Sequence, residues 1–192
     1  MGLGNPTDTY AATRHNVGFD AVNITTAFLN IKLRKRCFRL YKSASKRIGQ
    51  TKSVFVQPLT YMNKSGEILP FFIPKKFNCS DLIVVCDNLD LGVGTIRIRK
   101  GGSTATHKGL KSIIETLGDD SFIRIYIGIG PPKEGVSVIE HVLGRPTEIQ
   151  ESEALKQALL LAKGALVKLC SGESVEEVAN VYNRRKNSNR PT

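Results

Sequence analysis

The groups in this chain best suited to opening an ester or amide are few and widely spaced. His15 lies in Thr13-Arg14-His15-Asn16, downstream of Gly2-Leu3-Gly4-Asn5-Pro6 and of Tyr10. The glycines let the backbone bend sharply and Pro6 fixes φ, so this segment reads as a strand end running into a loop. An imidazole on such a loop titrates near neutral pH, and nearby asparagines offer hydrogen bonds without adding charge. That is a kit for a general base that activates water beside a carbonyl. The other two histidines read differently. His107 opens a helix, where capping or packing is its expected role, and His141, beside Val142-Leu143, is expected at the surface.

Asp87-Asn88-Leu89-Asp90 follows an apolar run, Leu82 to Cys86. A carboxylate there is able to orient an imidazole and stabilise its protonated form. On the residues alone an Asx-type turn stands first, and a weak cation site is a third reading. No second acidic cluster or histidine pair has ligand spacing, so no metal is expected. Tyr61, Met62 and Asn63 follow the strand ending at Pro58. An aromatic and an amide on a loop suit stacking on a base and reading a ribose or carbonyl, against the plainer alternative of a helix start. Gly101 to Gly109 leads into a helix N-terminus, a natural phosphate site, but lacks the Walker and GxGxxG patterns. No organic cofactor is expected either.

Charge is the informative bulk property. The chain carries 28 Lys and Arg against 17 Asp and Glu in 192 residues, a net +11, which favours a polyanionic partner, nucleic acid first. The basic residues spread over 32–39, 42–52, 97–111 and 184–190, a broad face with a basic tail. No apolar run approaches the ~18 residues that span a bilayer, and no secretory signal is read at the front. The four cysteines form no CxxC pair and are expected as free thiols in a reducing cytoplasm.

The elements that must carry these groups are read from periodicity. Val17, Ala21, Ile24, Phe28 and Ile31 form a helical stripe; Ser53 to Val56, Leu82 to Cys86, Thr95 to Arg99 and Ile123 to Gly128 read as strands. A helix through Leu110 to Leu117 is capped by Gly118, and two more close the chain at about 147–170 and 174–185. Alternating strands and helices predict a single α/β domain over 1–186, with a mixed, mostly parallel sheet flanked by helices and a polar tail at 187–192. Asn5, Asp87, the 100–108 loop and Gly130 all fall at strand ends and are expected to converge on one crevice.

Taken together, GLGNP (2–6), Tyr10 with TRHNVGF (13–19), PLTYMNKSG (58–66), DNLDL (87–91), the glycine loop with His107 (101–112), IGIG (127–130) and VLG.P (142–146) resemble bacterial peptidyl-tRNA hydrolase in family order. The resemblance implies cleavage of the ester between a peptide and the tRNA 3′ ribose, in the cytoplasm, by a monomer with tRNA as its partner. His15 would be the general base, Asp87 the carboxylate that orients it, and Asn5 the residue that binds the peptide part. Asn63 would hold the ester, with Tyr10 and Tyr61 packing on the tRNA end. The alternative is a non-catalytic RNA-binding relative of the same fold.

The chain departs from the family pattern in several places. Met1 stands where the family has a valine preceded by apolar residues, so a truncated first strand is expected. Lys108 replaces a substrate-binding amide, Asn88 an acidic residue, and Tyr126 a basic residue of a phosphate clamp. Arg99 keeps the other clamp charge, and Arg124, on the same strand face as Tyr126, is expected to compensate. Pro70 and Pro74 interrupt an expected helix.

Overall fold

The structure, a computed structural model, describes residues 1–35, 37–104 and 106–183; the expected tail and the basic run at 184–190 lie outside them. Among the described residues, six strands form two three-stranded groups. β1 (Arg34–Lys35), β2 (Tyr41–Ile48) and β3 (Thr51–Pro58) pair antiparallel in that order, and β4 (Ile83–Asn88), β5 (Ile96–Lys100) and β6 (Ile123–Gly128) run in the order β4-β6-β5. Residues 1–3 join the two groups. Gly2 N–H donates to Val56 O (3.0 Å), Leu3 N–H to Val85 O (2.9 Å), and Val85 N–H to Met1 O (2.9 Å). Gly2 bridges Val85 in parallel, and β4 pairs with β6 in parallel.

The expected α/β fold with a mixed sheet flanked by helices is present, but the pairing is not mostly parallel: antiparallel pairs outnumber parallel ones. β2 and β3 are joined by the two-residue Gly49-Gln50 turn, too short for any crossover, so they must run antiparallel. β5 also runs antiparallel to β6.

Among the described residues five α-helices flank the strands: α1 (Val17–Phe28), α2 (Lys108–Leu117), α3 (Val138–Leu143), α4 (Ile149–Ser171) and α5 (Val175–Asn183). Side-chain alternation along the strands divides the core. Val85, Ile125 and Ile127 pack with Val17 and Ala21 of α1 and Leu155, Ala158 and Ala162 of α4. Val84, Cys86 and Tyr126 face the other way, with Leu110 and Ile113 of α2 and Met62, Ile68 and Leu69. α1 stops short of the expected Ile31, and Phe28 is exposed, with the Lys163 ammonium 4.6 Å from its ring centroid. Gly118 does cap α2 in the left-handed conformation, its N–H on Ile114 O. The expected proline-broken helix is a 3-10 stretch, Met62–Phe71, that departs from helical geometry at Lys64 and takes Pro70 into its last turn. Among the described residues no helix is long and apolar enough to cross a membrane.

Candidate active site

Two glycines explain how the front of the chain reaches the sheet. A Cβ on Gly2 would strike the backbone of Gly18, and one on Gly18 would strike Val85 O and the Leu3 backbone. Backbone-to-backbone contact therefore seats the start of α1 directly on the first strand and on β4, and Phe19 N–H donates to Leu3 O (3.1 Å). His15 lies three residues before Gly18, and Asp87 two residues beyond Val85. The pleat puts Asp87 on the α1 face of β4, so the two side chains meet at the strand's end.

His15 Nδ1–H donates to Asp87 Oδ1 at 2.7 Å. That bond leaves the lone pair of the neutral ring on Nε2. The same carboxylate oxygen receives a second imidazole. His107 Nε2–H donates to Asp87 Oδ1 at 3.1 Å, and its Nδ1 accepts from the Gly109 (3.2 Å) and Leu110 (3.3 Å) N–H groups at the start of α2. The capping role expected of His107 is thus present, and it also fixes the tautomer: with Nδ1 occupied by two donors, the proton must sit on Nε2, facing Asp87. The two rings lie 5.2 Å apart, centroid to centroid. Burial pushes the Asp87 carboxyl upward, but the His107 and His15 rings bonded to it outweigh burial and hold it below the usual carboxylate range.

His15, Asp87 and His107 converge closely enough to suggest a metal triad. The donor set argues otherwise. Ligation through His107 Nε2 would move its proton to Nδ1, directly against two backbone N–H groups.

The flanks of His15 are held on both sides. Asn16 and Asn5 form a reciprocal amide pair: Asn5 N–H donates to Asn16 Oδ1 (2.8 Å) and Asn16 Nδ2 to Asn5 O (3.0 Å). Asn5 Oδ1 in turn accepts from Met62 N–H (2.8 Å), which tethers the Tyr61-Met62-Asn63 segment to the same corner. The Asn5 NH2 group has no protein partner among the described residues. On the other flank, the Arg14 guanidinium grips Glu151 of α4 through Nε (2.5 Å) and Nη2 (2.8 Å), while Arg14 N–H donates to Gly144 O.

These groups line a cavity of about 780 Å³. Asn5, His15, Asp87, Tyr61 and Asn63 all lie on its wall, as do Met62, Ser103, Thr104, Thr106, His107 and Lys108. Tyr10 does not. It packs edge-on against Tyr61, centroids 6.4 Å apart, and so braces a wall residue. Gly130, expected at the crevice, is also absent from the wall. α3 contributes Val138 and Ile139 to the wall, while Arg97, Arg99 and Lys108 bring positive charge.

Two expectations are corrected and one is extended. His141 is half-buried, its Nε2 against Gly130 O (3.0 Å) and Ile129 O. The Asx turn expected after Asp87 is present, Asn88 Oδ1 accepting from Asp90 N–H (2.9 Å), and the Asp87 carboxylate in addition serves two imidazoles. Arg124 cannot stand in for a surface clamp: its side chain is wholly buried. Residue spacing gave no sign of the His107–Asp87 bond, because the two lie on separate elements.

Comparison with known proteins gives a consistent answer. The family model described as Peptidyl-tRNA hydrolase matches residues 1–190. The chain is 40% identical over 185 residues to the peptidyl-tRNA hydrolase of Halalkalibacterium halodurans, covering 95% of this chain and 98% of that one. It is 46% identical over 144 residues to that of Shouchella clausii, covering 74% and 77%. The crystal structure of peptidyl-tRNA hydrolase from Acinetobacter baumannii superposes with a TM-score of 0.84 at 32% identity, over 95% of this chain and 92% of that one. With its fold, its front motifs and almost its whole length matched, this chain belongs to the peptidyl-tRNA hydrolase family.

Proposed function

We infer that this chain hydrolyses the ester joining a peptide, or an N-blocked amino acid, to the 3′ ribose of tRNA. The observation that carries the reading is the 2.7 Å bond from His15 Nδ1–H to Asp87 Oδ1, in a ring whose Nε2 is left to take a proton. In the mechanism, Nε2 removes a proton from water as the water oxygen attacks the ester carbonyl carbon. Asp87 steadies the imidazolium that forms. The tetrahedral intermediate collapses by breaking the bond to the ribose oxygen, which leaves with the proton held on Nε2, giving a free peptide acid and free tRNA. A positioned base of this kind is worth roughly 10²–10⁴-fold in rate.

Asn5 offers its unpartnered NH2 to a carbonyl of the peptide part, and the exposed Asn63, on the segment that Met62 ties to Asn5, holds the ester. Tyr61, steadied by Tyr10, stacks on the tRNA end. All of these groups come from one chain, which supports action as a monomer, and the tRNA substrate sets the cytoplasm as the place of work.

The direct test is release of free tRNA from N-blocked aminoacyl-tRNA by the purified chain, and its loss in His15→Ala. RNA binding without cleavage by the parent chain would overturn the hydrolase reading; turnover that survives His15→Ala would show that another group is the base. Elution at twice the monomer mass would refute the monomer.

A further inference from the structure

Arg124 occupies an improbable place. It sits on β6 with its side chain fully buried, on the α2 face of the sheet, beside Tyr126 and across from Val84. A buried guanidinium is costly unless every donor is well paired. Among the described residues the nearest carboxylate, Asp120 Oδ2, lies 3.7 Å away on a half-exposed side chain, and Nε has no partner. The remaining donors go mainly to backbone. Nη1 donates to Ser103 O (2.9 Å) and to the Tyr126 hydroxyl (3.3 Å), and Nη2 to Asp120 O (3.2 Å), with the Phe122 ring 4.6 Å below Cζ. A methionine would fill the same space at less cost, so stability alone does not account for the residue.

What those donors hold is the loop that carries His107. Gly101 N–H donates to Phe122 O and Gly102 N–H to Asp120 Oδ2, fixing the start of the loop against the strand that bears Arg124. The Arg124 fork pins the next residue through Ser103 O. One residue on, Thr104 O accepts from His107 N–H (3.1 Å), and His107 Nε2–H then meets Asp87. The path from Arg124 to the carboxylate is a continuous run of short bonds with His107 as its last link.

We propose that Arg124 is a positioning residue for the His15–Asp87 pair, acting through Ser103, Thr104 and His107. Asp87 Oδ1 is shared by two rings. When the loop is pinned, His107 takes part of the carboxylate's charge and holds the oxygen in line with His15. When it is loose, the oxygen drifts out of line with His15. The proposal rests on the hydrolase reading above.

The test compares Arg124→Met and Arg124→Lys with the parent chain, using N-blocked aminoacyl-tRNA. In Arg124→Met, kcat falls about 10–100-fold, the scale of a small misplacement in a reacting group. KM stays near the parent value, and Tm does not fall. Arg124→Lys, with one donor group in place of a fork, lies between the two. The downfield imidazole N–H resonance of the His107–Asp87 bond, followed by NMR, is present in the parent and lost or exchange-broadened in Arg124→Met. An unchanged kcat, a loss confined to KM, a kcat that merely tracks the folded fraction, or unfolding of both variants would each overturn the proposal. A parent chain that fails to cleave would instead sink the hydrolase reading, while the NMR signal would still report whether Arg124 orders His107.

Discussion

On the inner wall of the cavity, His15, Asp87 and His107 are tied to one another and shielded from solvent. On its outer wall, the side chains of Tyr61, Asn63 and Lys108 are exposed and make no hydrogen bond to the protein among the described residues. The inner groups have their orientation set by protein bonds before any substrate arrives, so little reorganisation remains for the reaction itself. The outer groups keep their rotamer freedom and lose it only on contact, which suits a surface that must accept many peptides and a flexible RNA end. On the proposed assignment of roles, chemistry is concentrated where the fold is most constrained, and recognition where it is least.

Breaking the inner wall should cost most. Asp87→Asn keeps the volume but replaces an acceptor shared by two N–H donors with an amide, so at least one ring must turn or change tautomer. We expect kcat to fall about 10²–10⁴-fold, measured on N-blocked aminoacyl-tRNA, with KM little changed. The same variant has a stability signature. The folded carboxyl sits below its unfolded value, so its contribution is present above about pH 4 and is lost as pH falls through the folded value. Acid titration of Tm should therefore show a shallower loss in Asp87→Asn than in the parent.

The outer wall should yield smaller effects that appear in binding. Tyr61→Ala removes a stacking face worth about 1 kcal/mol or more, raising KM at least roughly fivefold with kcat nearly unchanged. A fall in kcat equal to that of Asp87→Asn would erase the distinction between the two walls. Lys108→Met sharpens it further. If Lys108 neutralises one phosphate, log binding affinity against log salt should lose about 0.7 of slope, and a slope equal to the parent's would remove Lys108 from the RNA contact.

A change away from both walls should leave activity untouched. Burial raises the Asp20 carboxyl from 3.8 to about 6. The folded state thus favours the protonated acid, and the cost of ionising it is full above about pH 6, shrinks as pH falls toward 3.8, and vanishes below. Asp20→Asn should raise Tm by a few degrees near pH 7, lose that gain in acid, and leave kcat/KM as it was.

Much of the fold was legible because it rests on short-range patterns. Ile123 to Gly128 announced a buried strand, and Gly118 closed α2 where a left-handed residue was needed. The sheet's direction was harder to read. Alternating strands and helices suggest parallel pairing, but the tight turn after Ile48 forces an antiparallel hairpin, a constraint of loop length that periodicity ignores. At the site, His15 and Asn5 stood out because their neighbours were polar and glycine-rich. His107 hid its second role because one nitrogen satisfies a helix start while the other reaches a strand distant in sequence. Arg124 misled for a related reason: strand alternation gives the face on which a side chain lies, and that face proved to be covered by α2 and its incoming loop.

The amino-acid order alone determined which chemistry was available: an imidazole in a polar loop, amides beside it, a carboxylate closing an apolar strand and a strongly basic chain. Those properties belong to residue types and near neighbours, and they survive without knowledge of the fold. Only the tertiary structure decided which groups share an atom. Two imidazoles from opposite faces of the sheet meet on one carboxylate oxygen, and a buried guanidinium steadies the loop that brings one of them there. Contacts of this kind depend on how closely elements pack, here set by two glycines in backbone contact, and a list of residues does not record distance.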